Sequence, residues 1–182
     1  MSFRTVTVQG ATIAAVSNIL AQGITVYQKR SLSSLDPAAF LQFVVLAIIS
    51  TPPNYKWQLF LERKFPSTYK KDVSRSQEKK DGDTKEQLSV RNTIAKFVLD
   101  QTVGAILNTI FFIAMINLLR GAGWSRALTA VEKDFWPMFI TGFKFWPLVS
   151  LANLIFVPVE QRMLVGGLAG LVWGIYVSLL EL

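Results

Sequence analysis

The chain has 182 residues and contains neither histidine nor cysteine. Without imidazole there is no Ser-His relay, no histidine general base, no proton wire and no histidine metal ligand; without thiols there is no thiolate nucleophile, disulfide or zinc knuckle. Most familiar hydrolase and metalloenzyme designs are excluded, and the remaining residues assemble no nucleophile-base pair or metal cluster at recognisable spacing. An enzyme is not expected, nor a cofactor. Charge is scarce too, at 17% of residues against 51% hydrophobic. The charges crowd between Glu62 and Lys96, where ten Lys or Arg face six Asp or Glu, and long stretches on either side carry almost none. That is the composition of a membrane protein. A net charge of +7 would suit nucleic acid, but these cations stand beside apolar runs, where they set topology or touch anionic headgroups. Membrane lipid is the expected partner, and nucleic acid is not.

The length suits one membrane domain over residues 1–182. No secretory signal pattern opens the chain. Residues 6–27 form an apolar segment of about the length that crosses a bilayer. Within it Ala11, Ala14, Ala15, Asn18, Gln22 and Thr25 fall at three- and four-residue spacing. Such a small-and-polar stripe faces protein or water, as a close helix interface or as a pore lining. Asp36-Pro37 reads as a helix cap before a second span, 38–61. Pro52-Pro53 inside that span predicts a kink or a break, and Lys56 and Trp57 beyond it read as an interfacial extension. Residues 62–93 are an aqueous charged loop, flexible or partly helical. The positive-inside rule puts this loop and the N-terminus on the cytosolic or matrix face.

The third span, 94–119, is the most chemically loaded. Asp100, Gly104 and Asn108 follow one another at four-residue steps, with Gln101 and Ala105 beside them, so one helical face is polar and narrow. A carboxylate in lipid costs at least a few kcal/mol unless it finds water or a partner, which makes Asp100 a functional candidate. The alternative is a position near the membrane surface, or a structural pair with Lys144 or Arg162. After Gly121 and Gly123, residues 124–136 form a short amphipathic helix expected to lie along the interface. Pro158, Glu160 and Arg162 divide the remaining apolar stretch into 138–157 and 163–180. Lys144 inside the first of these must snorkel, pair or face water. Gly166, Gly167, Gly170 and Gly174 in the second permit close packing, within the chain or in a homo-oligomer. The fold class read from this pattern is all-α: an integral membrane helical bundle of four to five transmembrane helices plus a short interfacial amphipathic helix.

From Trp124 onward the order is Trp124, Asp134-Phe135-Trp136-Pro137, Lys144-Phe145-Trp146-Pro147, Asn153, Phe156-Val157-Pro158, Arg162, Trp173, Tyr176 and Ser178. This resembles the signature of the 22-kilodalton peroxisomal membrane protein family, the Mpv-type integral membrane proteins of peroxisomes and the mitochondrial inner membrane. The resemblance covers the C-terminal third closely and the rest more faintly, including Leu20-Ala21-Gln22 and the Pro53 to Pro66 segment with Trp57, Leu61 and Phe65-Pro66. Two departures stand out: Ser17-Asn18 where the family usually has Gly-Asp, and Ser150 where a glutamine commonly follows. The resemblance implies a multi-pass organelle membrane protein whose relatives are proposed to be weakly selective, passive channels for small solutes and metabolites. Asn18, Gln22, Asp100, Gln101, Asn108 and Lys144 would then line the path, and an Asp100–Lys144 pair would hold it closed. The alternative is a non-conducting organiser, using the charged stretch from Thr68 to Gln87 for docking and the glycine face of the last helix as an oligomer seam. Glu181-Leu182 is no peroxisomal tripeptide signal and the N-terminus is too apolar for a mitochondrial transit peptide, so both organelles stay open.

Overall fold

The computed structural model describes residues 2–31, 35–70 and 86–180. Helix α1 (Phe3–Lys29) starts at Ser2, whose hydroxyl accepts from the Thr5 amide at 3.2 Å, and ends where Arg30 turns left-handed at φ 48°. Asp36 caps α2 (Pro37–Lys64), accepting from the Ala39 amide at 2.9 Å, with proline at the first helical turn. The two helices form an antiparallel hairpin. At one end Gln22 grips the Asp36 backbone on both sides, donating to its carbonyl and accepting from its amide, each at 2.8 Å. At the other the Phe3 ring meets the Tyr55 ring edge-on at 5.5 Å. The N-terminus of α1 therefore lies beside the C-terminal part of α2.

Pro52 and Pro53 do not break α2, which is helical from Pro37 to Lys64. They do free two carbonyls from their usual donors, but α1 packs along α2 so closely that a Cβ on Gly10 would sit 2.5 Å from Thr51 Oγ1. Neighbouring helices of this kind are what lets membrane helices keep internal prolines.

Between α2 and the next helix, β1 (Thr68–Lys70) pairs antiparallel with β2 (Glu86–Leu88), with Thr68 opposite Leu88. A short ribbon therefore stands where a flexible or partly helical loop was expected; residues 71–85 of that loop lie outside the described residues. Helix α3 (Val90–Leu99), a π-helical turn (Asp100–Gly104) and α4 (Ala105–Leu119) make one continuous rod. Gly121, at φ +82°, reverses the chain.

The next element differs from the sequence reading in its bounds. Helix α5 (Trp124–Phe143) runs through Pro137, so the amphipathic stretch and the start of the fourth apolar segment are one helix. The break comes later: α6 (Trp146–Phe156) is bent from α5 by 54°. Pro147 accounts for it, because it cannot donate to Phe143 and its ring would clash with that carbonyl, whereas at a helix start neither matters. The two Phe-Trp-Pro copies thus have different roles, one inside a helix and one opening a helix.

Three helices are long and apolar enough to cross a membrane, Phe3–Lys29, Pro37–Lys64 and Val90–Leu119, and the count is four if the bent α5–α6 pair is one broken span and not a re-entrant loop. Helix α7 (Arg162–Leu180) carries the shorter apolar run Arg162–Trp173. Part of its glycine face meets other helices of the chain. A Cβ at Gly167 would stand 2.9 Å from Ile13 Cδ1 of α1, while Gly166 and Gly170 look onto Asn153 and Trp146 of α6. At these three glycines the neighbours are helices of the same chain, and the surroundings of Gly174 lie outside the described side chains. Large apolar residues on the outside, among them Val8, Ile19, Leu41, Ile49, Leu107 and Leu148, are exposed as a lipid-facing surface requires.

Candidate functional site

Polar residues recur every four positions on two antiparallel rods. On α2 they are Ser50, Asn54, Gln58 and Glu62; on the α3–α4 rod they are Lys96, Asp100 and Asn108, with Gly104 between. In a straight α-helix each four-residue step over-rotates by about 40°, so such a stripe drifts around the helix. The π turn, in which the Ala105 amide bonds the Asp100 carbonyl five residues back, takes in extra chain and returns the drift. The stripes consequently face each other along the bundle.

They meet as three rungs. At the loop-side end Lys96 Nζ lies 2.8 Å from Glu62 Oε2. In the middle Gln58 Nε2 donates to Asp100 Oδ1 at 3.0 Å. Deeper in, Asn54 Nδ2 donates to Asn108 Oδ1 at 3.3 Å. A hydrogen bond between helices in hydrocarbon contributes on the order of 1 kcal/mol, so the ladder joins these rods and fixes their register.

The first rung is the most buried. Lys96 is fully buried and Arg162 is 4% exposed, and both lie against the one carboxylate of Glu62, Arg162 Nη1 at 2.9 Å. Glu62 is itself held by Ser67, whose amide donates at 2.6 Å and whose hydroxyl donates at 2.9 Å. The Ser67 hydroxyl in turn accepts from Lys96 and, at 3.3 Å, from Arg162 Nη2. Arg162 Nε reaches the Val157 carbonyl at 3.1 Å. The cluster ties the end of α2, the last turn of α3 and the start of α7 into one knot, with two cations on one anion.

At the second rung Asp100 collects donors from three elements. Trp57 Nε1 and Gln58 Nε2 of α2 reach Oδ1 at 3.1 and 3.0 Å, and Ser150 Oγ of α6 reaches Oδ2 at 2.6 Å. Gln101, 7% exposed, adds a long contact at 3.5 Å. A carboxylate solvated by oriented dipoles can stay in a membrane interior without a cation. At the third rung the Asn54–Asn108 pair opens onto a recess of about 240 Å³ between α1, α2 and α4, which Ser50 also lines.

The residues named from sequence therefore have different fates. Asp100, Gln101 and Asn108 belong to the ladder. Asn18 and Gln22 bond each other at 2.7 Å, and Gln22 serves the α1–α2 hairpin through Asp36, at the other end of the bundle from Glu62. Lys144 is exposed at the α5–α6 break, and the ion pairs among the described residues are Glu62–Lys96 and Glu62–Arg162, so the Asp100–Lys144 pair is not made and Arg162 has a different carboxylate. Of the signature residues, Trp124, Asp134 and Trp136 are exposed on α5, which also holds Pro137. Phe145 stacks on Trp173 at 5.2 Å with Trp146 against the same ring, beside Pro147. Asn153 donates to the Arg162 carbonyl at 3.4 Å across the turn that contains Pro158. Tyr176 and Ser178 fall where α7 is described by its backbone. Sequence reasoning missed Asn54, Trp57, Gln58, Glu62, Ser67, Lys96 and Ser150. The four-residue recurrence on α2 was the available signal.

The Mpv17 / PMP22 family profile matches residues 117–178. Similar proteins include PXMP2/4 family protein 3 of Dictyostelium discoideum, 31% identical over 93% of this chain and 79% of that one. Protein sym1 of Schizosaccharomyces pombe is 25% identical over 96% of this chain and 82% of its own length. Peroxisomal membrane protein 2 of Bos taurus is 24% identical over 91% and 76%. No solved structure matches the chain. The matched segment holds the α5–α6 break, the Arg162 turn and the Trp173 stack, and together with the full-length relatives it establishes that the chain is a multi-pass membrane protein belonging to the Mpv17 / PMP22 family.

Proposed function

We propose that this protein is a passive, weakly selective channel for small solutes in an organelle membrane, peroxisomal or mitochondrial inner. The observation that carries the reading is the ladder: polar side chains placed end to end along the α2 and α3–α4 rods, reaching a recess where Ser50, Asn54 and Asn108 stand beside apolar side chains. Lining a transmembrane path with polar groups is the requirement for conduction of hydrated solutes. In this reading Glu62–Lys96 and Gln58–Asp100 are closed rungs, and passage requires α2 and the α3–α4 rod to part along the ladder. The partners are lipid and the solutes themselves, and no chemistry is performed on them.

The test is solute release and single-channel conductance from liposomes containing the purified protein. Wild type should conduct, and Asp100→Asn should alter open probability or ion preference. A silent bilayer, with the protein shown folded by circular dichroism, would transfer the function to a non-conducting organiser of membrane partners.

A further inference from the structure

The third rung carries more polar capacity than it uses. Asn54 Nδ2 and Asn108 Oδ1 satisfy each other at 3.3 Å. The Asn54 carbonyl oxygen and the Asn108 amide nitrogen have no partner among the described residues, and Asn108 is exposed. Asn54 stands ten residues before the end of α2, about 15 Å in at 1.5 Å per residue. An amide left without a partner between apolar helices costs free energy that a bound hydrogen-bonding group would recover. The recess beside it, about 240 Å³, is lined by Ser50, Asn54 and Asn108 together with Phe43, Phe111 and Phe112. It is smaller than a drug-sized pocket of roughly 300–1,000 Å³.

We infer that this recess is a binding site for a small uncharged solute that has a hydrogen-bonding amide or hydroxyl head and a compact apolar or aromatic body. The asparagines offer one free acceptor and free N–H donors, enough for a carboxamide to bond at both of its ends. None of the lining residues carries a formal charge, so an ion entering would leave water with nothing to neutralise it, a cost that a neutral head does not meet. The phenyl rings fit the remainder of a molecule of this class. The role of the site in passage rests on the channel reading; the binding does not.

The experiment is a fluorine NMR titration of the purified full-length protein in detergent at pH 7.5. The probes are 4-fluorobenzamide, 4-fluorobenzoate and 4-fluorobenzylammonium, which differ in head-group charge at nearly constant shape, each corrected for empty micelles. The amide should bind at least tenfold more tightly than either ion. Asn108→Leu should weaken amide binding at least fivefold and leave the ions unchanged. Ala47→Leu, which fills the recess from its wall without touching the polar pair, should weaken the amide as well, and it carries the test if Asn108→Leu does not fold. Equal binding of the three probes, or amide binding that survives both variants, would overturn the inference. Selective amide binding by a protein that conducts nothing would defeat the channel reading and leave the site standing.

Discussion

Trp57 of α2 donates to Asp100 of the π turn at 3.1 Å, and it can do so because residue 104 has no side chain. A Cβ at position 104 would stand 2.9 Å from the indole nitrogen and 3.3 Å from Asp100 Oδ1. The π turn, the glycine that closes it and the tryptophan that enters the gap form one device. It sets a carboxylate inside a membrane bundle and surrounds it with neutral donors.

Gly104→Ala should therefore displace Trp57. Overpacking of this kind costs about 1–3 kcal/mol, which should appear as a lowered midpoint in thermal unfolding of the detergent-solubilised protein. Trp57→Phe in the same background removes the crowded nitrogen and should recover part of the loss. A Gly104→Ala protein as stable as wild type would show that the indole is not held by this gap.

The charge knot makes an asymmetric prediction. Glu62→Gln leaves Lys96 and Arg162 buried side by side with no anion, and removing one partner of a buried ionic set costs about 3–5 kcal/mol. Glu62 is 22% exposed, so water relieves part of this and the lower end is expected. Lys96→Met, by contrast, leaves a balanced Glu62–Arg162 pair and should cost less. Unfolding curves for the two variants should separate in that order, and the reverse order would show that the second cation contributes more than the carboxylate.

The legibility of the fold in the sequence varied with the kind of signal. Apolar runs of bilayer length placed the first three spans, because composition and length are local properties that tertiary packing need not change. Of the kink or break expected at Pro52-Pro53 the break does not occur, since α2 is helical throughout beside the α1 surface, and Pro147 broke a helix that Pro137 did not. Asp100 was legible because a lone carboxylate in an apolar run is rare. Its true partners were not, since Trp57, Gln58 and Ser150 are neutral and lie 42 to 50 residues away in sequence. Glu62 and Lys96 were lost among the charges of the loop that joins them. Opposite signs near the ends of adjacent apolar helices, combined with the four-residue recurrence, were the sign that they turn inward.

If the ladder is the path, the two residues first paired by charge should behave differently. Asp100→Asn keeps the size of the side chain, removes its charge and replaces one acceptor oxygen by an NH2 donor, so the Trp57, Gln58 and Ser150 donors share one neutral acceptor. Conductance in planar bilayers should change in ion preference or open probability. Lys144→Gln should change neither, because Lys144 is exposed and is not among the groups that bond Asp100. The double variant should match Asp100→Asn alone. An effect of Lys144→Gln that disappears in the Asp100→Asn background would instead establish the two charges as a functional pair in another state of the protein.

The interface between α1 and α7 offers a test that is independent of polar groups. A methyl at Gly167 would meet Ile13 Cδ1 at 2.9 Å and Cγ2 at 3.3 Å, and the helix backbone behind the glycine cannot retreat without opening the seam. Gly167→Leu should lower the unfolding midpoint, by the roughly 1–3 kcal/mol of an overpacked site. Ile13→Ala alone should cost less, since Ile13 is half-buried and its cavity lies at a membrane-facing seam. Combined, the large residue moves from one helix to the other and the volumes nearly balance, so the double variant should be more stable than Gly167→Leu by at least half of the loss. Crosslinking in liposomes should remain unchanged by Gly167→Leu, because this glycine is already covered by the chain's own first helix. A variant that instead altered self-association would mean that the α7 glycine face meets a second copy and not Ile13.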